Sequence, residues 1–149
     1  MKKLRRVTAR KRRVKTTKTC RKTIIVRKLL DMLQMVKLFH WSTTSYANHE
    51  ASDELYERMN ERVDRFVEVY MGKDRAHRLS WNDDMHVLHG SDGEAQDKGK
   101  NFSETMMNFR EFLINLDRCL DPERDADLLN IRDDLIGDVN QFFYLQRLH

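Results

Sequence analysis

Proline is almost missing from this chain: Pro122 is the only one among 149 residues, and glycine occurs five times. Helices can therefore run long without the residues that break them most effectively. Strict apolar–polar alternation is almost missing too, which argues against a sheet. No apolar run reaches the roughly 20 residues that a membrane-spanning helix needs. The first twenty residues have no apolar core, so they do not read as a secretory signal. Only two cysteines are present, Cys20 and Cys119. Two isolated cysteines make neither a disulfide framework nor a zinc cluster, so the expectation is a reducing compartment, with Cys119 as a small core residue. None of the six histidines has a glutamate three residues before it. That argues against a di-iron centre of the Glu-x-x-His kind built inside one helical bundle.

Acid is also absent where base is dense. Residues 1–30 hold 14 Lys and Arg and no Asp or Glu, whereas residues 31–149 hold 14 Lys and Arg against 24 acids, a net of −10. Residues 1–22 thus read as a flexible basic tail on an acidic body, residues 23–149. Lys2, Lys3, Arg5, Arg6, Arg10, Lys11, Arg12, Arg13, Lys15 and Lys18 suit contact with a nucleic-acid backbone, a contact that depends on salt and is largely blind to sequence. The same run also fits a nuclear address or a solvated arm.

What remains is strongly helical in pattern. Ile25, Leu29, Met32, Val36 and Phe39 recur at three and four, predicting a first helix over 23–41 with His40 at the edge of its stripe. Leu55, Met59, Val63, Phe66 and Tyr70 predict a second over 46–71, with Gly72 as its stop. Phe102 to Leu120 reads as a third, opened by Asn101 and Glu104 in the manner of a capping box. Asp121-Pro122-Glu123 reads as the start of a fourth that runs to near His149. Between the second and third, residues 73–100 read as a long crossover, with a short helix near 81–88 and a loop over 90–100. The prediction is an all-α four-helix bundle.

One constellation carries chemistry. His40, His49, Asp64 and Glu68 offer two imidazoles and two carboxylates, a mixture that suits iron. Asp64 and Glu68, four apart, share one face of a helix. His49 precedes Asp64 by fifteen residues, roughly 22 Å of helix, whereas metal–ligand bonds are about 2 Å. One chain therefore cannot bring all four to one ion, and if they serve one site its two halves come from two chains.

The residues Phe39-His40-Trp41, a short connection, His49-Glu50, then Asp64 and Glu68 resemble the Dps family of DNA-binding miniferritins. The stretch from Asp125 to Leu148 is similar to that family's last helix. The resemblance implies a ferritin-like fold with a helix 2–3 crossover and a closed homo-oligomeric shell, most often a dodecamer. It implies that His40 and His49 come from one subunit and Asp64 and Glu68 from its two-fold partner, with Trp41 beside the site. The implied activity is Fe(II) oxidation to Fe(III) with peroxide or O2 and storage of the ferric mineral. The implied setting is cytoplasmic, on DNA held by the basic tail. Asp125 and Asp127 match by position the acids of the family's iron-entry pore. The connection from His40 to His49 is three residues shorter than the family's and lacks its glycine, so residues 42–45 must turn more tightly. A second metal candidate is His86 and His89 with Asp83 and Asp84 nearby. The alternatives are a non-catalytic nucleic-acid-packaging protein on the same scaffold and a helical adaptor acting through residues 73–100.

Overall fold

A computed structural model of the chain describes residues 20–73, Leu79 and 101–148. Among them are four α-helices and no strand: α1 (Lys22–Ser42), α2 (Tyr46–Gly72), α3 (Phe102–Asn115) and α4 (Ala126–Gln146), with a 3-10 turn over Leu116–Arg118. Helix α2 packs most extensively on α4 and α1, and α3 packs on α4 and α1. The expected helix 81–88, the loop 90–100, the His86/His89 pair and the basic residues Lys2 to Lys18 lie outside the described residues.

Each apolar stripe turns inward. Ile25, Leu29, Met32 and Val36 of α1 meet Leu55, Met59, Val63 and Phe66 of α2 and the Leu128 to Phe142 stripe of α4 in one continuous core. At one end of it, the Phe39 and Phe102 rings stack at 3.9 Å, and Phe142 stands edge-on to both, at 6.2 and 5.8 Å. This cluster joins three helices immediately before His40. Phe142→Leu keeps the residue apolar but removes two edge-to-face contacts, each worth about 0.5–1.5 kcal/mol. Chemical denaturation should show a loss of about 1–2 kcal/mol with an unchanged m-value.

Helix starts follow side-chain caps. The Ser45 hydroxyl accepts from the Asn48 N–H at 3.3 Å, opening α2, and Asn101 Oδ1 accepts from the Glu104 N–H at 2.8 Å, opening α3. The second half of the chain departs from expectation at two boundaries. Helix α3 ends at Asn115 rather than Leu120. There the buried Arg132 guanidinium of α4 donates to the carbonyls of Leu113 and Ile114 and pairs with Asp117 at 2.6 Å, satisfying acceptors that a longer helix would have used internally. Helix α4 starts at Ala126 rather than at 121–123. Asp121 Oδ1 accepts from the N–H groups of Glu123 and Arg124, while its own N–H donates to Asp125 Oδ2. Asp121 thus caps one isolated turn, and the helix proper begins after it.

The cysteines correct a second expectation. Cys20 and Cys119 form a disulfide across 99 residues of sequence. The start of α1 and the turn after α3 lie at the same end of the molecule, a proximity invisible in the spacing of two cysteines. The pairing removes the argument from cysteine usage for a reducing compartment. Closing so long a loop restricts the unfolded chain, worth about 4–5 kcal/mol in the chain-entropy account.

Candidate metal site

Helix α1 ends and α2 begins within four residues, and the turn is tight without glycine. The Thr43 N–H closes α1 on the Phe39 carbonyl at 2.9 Å, and the Thr43 hydroxyl accepts from the Ser45 N–H at 3.3 Å. The short connection brings His40 and His49 face to face, with ring centroids 3.9 Å apart and planes 24° from parallel.

Their hydrogen bonds are reciprocal. His40 Nδ1 lies 3.1 Å from the His49 carbonyl oxygen, and His49 Nδ1 lies 3.0 Å from the His40 carbonyl oxygen. A carbonyl only accepts, so each Nδ1 carries a proton, and in the neutral ring Nε2 is then the nitrogen with the lone pair. This is the tautomer a metal-binding imidazole needs, held by the backbone bond typical of ligating histidines. Ser52 supports it: fully buried, its hydroxyl donates to the His49 carbonyl at 2.9 Å and sits 3.4 Å from His40 Nδ1.

Asp53 adds a carboxylate. Its Oδ1 is 3.6 Å from His40 Nε2 and 3.5 Å from Lys37 Nζ. Neither Ser52 nor Asp53 belongs to the motif legible in the sequence, but Asp53 follows His49 by four, and that spacing on one helical face was the available signal. Asp64 and Glu68 are exposed further along α2. They are not brought to the histidines within one chain, and no group of three or more potential ligands gathers among the described residues. Trp41 is 69% exposed and, with Leu38, Lys37, Tyr56 and Asn60, lines a groove of about 450 Å³ between α1 and α2.

Asp125 and Asp127 are already engaged. Lys73, just past α2, lies 2.7 Å from Asp127 and 3.3 Å from Asp125. The Lys73 ammonium and the Leu128 N–H hold the Asp127 carboxyl below its ordinary value, and the Asp127 hydrogen bond raises Lys73. A lowered acid stabilises above its unfolded value and loses this as pH falls through the folded one. A raised amine stabilises below its unfolded value and loses this as pH rises through the folded one. The pair therefore acts across the neutral range and fades at both extremes. Lys73→Ala should flatten the acid limb of the stability–pH curve near and below pH 4, read as Tm against pH.

Deeper between α2 and α4, the buried Asp138 pairs with Arg62 at 2.8 Å and Arg58 at 3.3 Å. Burial nonetheless raises its carboxyl, opposed by the two guanidinium groups. Among the described residues, no helix is long and apolar enough to cross a membrane.

No curated protein and no solved structure matches the chain. One family model matches residues 40–145, from the first histidine of the pair to the end of the α4 stripe, so the chain belongs to this family of unknown function (DUF5856).

Proposed function

We propose that this protein is a miniferritin of the Dps type, which oxidises Fe(II) at sites completed between two chains, stores the ferric product and holds DNA through its basic segment. The observation that carries this reading is the reciprocal histidine pair, whose Nδ1 atoms are both engaged by backbone carbonyls, which leaves Nε2 as the nitrogen able to bind a metal. In a neutral imidazole pair the Nε2 lone pairs serve a borderline metal ion.

The numbering of α2 supports completion by a second copy. His49, Asp53, Tyr56, Asn60, Asp64 and Glu68 fall within about 120° of one helical face. An antiparallel two-fold pairing of α2 centred between Arg58 and Met59 sets His49 opposite the partner copy's residue 68. The same register sets Asp53 opposite residue 64. Both carboxylate–imidazole halves then meet twice, once at each end, as an isologous interface requires. The groove beside this face, with the exposed Trp41 and Leu38, supplies apolar surface for such a contact.

In this site His40 and His49 hold the ferrous substrate, and Asp53, Asp64 and Glu68 favour the harder ferric product. Two Fe(II) ions each give one electron to one peroxide, whose O–O bond breaks to yield two hydroxide ions. The surrounding ferritin-like shell, a dodecamer in this reading, retains the mineral. The ten Lys and Arg residues between Lys2 and Lys18 bind the phosphate backbone, with an affinity that falls steeply with salt.

Anaerobic Fe(II) titration followed by peroxide, with particle mass measured on the same sample, tests the reading. Saturation at about two irons per site with rapid oxidation in a shell-sized particle is the expected outcome. A particle of any size with no saturable iron binding overturns it in favour of a non-catalytic nucleic-acid-packaging protein, for which the segregated charge alone suffices.

A further inference from the structure

The disulfide stands where the basic segment joins the folded body. Cys20 directly precedes the Arg21 N-cap of α1, and Cys119 ends the 3-10 turn after α3. Lys22, the first residue of α1, also ties this end to α2: its ammonium donates to the Tyr70 carbonyl at 3.0 Å and lies 4.8 Å over the Tyr70 ring. Arg21 makes no side-chain cap hydrogen bond, and no acid lies in the first turn to meet the positive end of the helix dipole. The first backbone bond of the helix runs from the Ile25 N–H to the Arg21 carbonyl at 3.1 Å.

The Cys20 sulfur sits in surroundings that favour a thiolate once the bond is open. Cys20 lies at the positive end of α1 and is followed by Arg21 and Lys22, whereas Cys119 has Arg118 on one side and the carboxylates Asp117 and Asp121 two residues away on either side. Both residues are partly exposed, within reach of small oxidants and reductants. An electropositive, accessible cysteine with a second cysteine in bonding range is the arrangement of a reversible redox couple rather than of an inert buried thiol.

We propose that Cys20 and Cys119 form a peroxide-responsive dithiol site whose closure clamps the root of the basic segment to the turn between α3 and α4. In the reduced protein one thiolate attacks a peroxide oxygen, the O–O bond breaks, and a sulfenic acid and one water result. The other thiol then attacks that sulfur, the S–S bond forms, and the hydroxyl leaves as the second water. The peroxide gains the two electrons that the two sulfurs lose. Dithiothreitol, or two molecules of glutathione, reverses the closure by thiol–disulfide exchange and is itself oxidised to the disulfide. The clamp's effect is on α1: the closed bond ties the residue before its N-cap to the turn after α3, and opening it removes that tie, so the amides of the first turns exchange faster.

The test uses the full chain with a metal chelator present, so that iron chemistry does not contribute. Reduced protein is treated with one equivalent of hydrogen peroxide under native conditions. Free thiols are then counted by alkylation and mass, chain linkage by non-reducing electrophoresis, and α1 amides by hydrogen exchange. The expected result is two alkylatable thiols before peroxide and none after, a single unlinked chain, and exchange at Ile25 to Leu29 slowed on the order of tenfold. Dithiothreitol restores both thiols, and Cys119→Ser shows no slowing. Thiols that survive peroxide, over-oxidation to sulfinic acid, an interchain disulfide, or equal exchange in the two states would each overturn the proposal. The iron reading stands or falls separately. A chain that closes the bond but oxidises no iron retains the clamp and loses the miniferritin function, and the converse result does the opposite.

Discussion

His49→Ala is expected to abolish saturable Fe(II) binding while leaving the fold intact. The side chain contributes two things that alanine cannot replace. One is its own Nε2 lone pair. The other is the Nδ1 hydrogen bond to the His40 carbonyl and the ring stacked on His40 at 3.9 Å. Loss of a supporting partner alone typically weakens metal affinity 10- to 100-fold, and loss of a ligand as well pushes the site below useful affinity. Stability should change little, because His49 is only partly buried and lies in the first turn of α2, outside the core. Ser52→Ala separates the two contributions. It removes the hydroxyl that donates to the His49 carbonyl but leaves both ligands, so it should weaken iron binding within that 10- to 100-fold range without abolishing it. The measurements are anaerobic Fe(II) titration and the initial rate of peroxide-dependent oxidation, with circular dichroism confirming helix content. Saturable binding that survives unchanged in His49→Ala would remove the histidine pair from the site.

The helices were legible in the sequence because periodicity is a local signal. The inward residues of α1, α2 and α4 follow from spacing alone, and Asn101 with Glu104 located the start of α3. Features formed by long-range partners were not legible. The end of α3 depends on Arg132, fifteen or more residues downstream, whose guanidinium takes the last carbonyls. The disulfide depends on two helix ends meeting across 99 residues. At the candidate site, His40, His49, Asp64 and Glu68 stood out by residue type and spacing. Ser52 did not, because a serine in a helix has no distinguishing pattern until its partner, here the His49 carbonyl, is placed. Likewise, nothing in the turn 43–45 announced that it would stack the two imidazoles. That outcome follows from Thr43 and Ser45 closing both helix ends within three residues.

Mixing two inactive variants should restore activity if the site is shared between chains. The first is His49→Ala, which removes one half. The second is the double variant Asp64→Ala, Glu68→Ala, which removes the other. Each homodimer has both of its sites damaged. In a heterodimer with two-fold symmetry, one site collects both lesions and the other collects none. Random reassortment makes half of the dimers mixed, so about a quarter of all sites are intact, and the mixture should recover about a quarter of the wild-type oxidation rate. Such recovery cannot arise from a site contained in one chain, because no chain in the mixture has both halves. Fifteen residues of helix already separate His49 from Asp64 by roughly 22 Å, too far for one ion. The register centred between Arg58 and Met59 adds a geometric condition. Trp41→Glu would place a charge on the groove beside that contact, so the same mixture built on it should neither dimerise nor recover. Recovery that persists with Trp41→Glu would move the two-fold contact away from the α1–α2 groove, and no recovery from the original mixture would end the two-chain site.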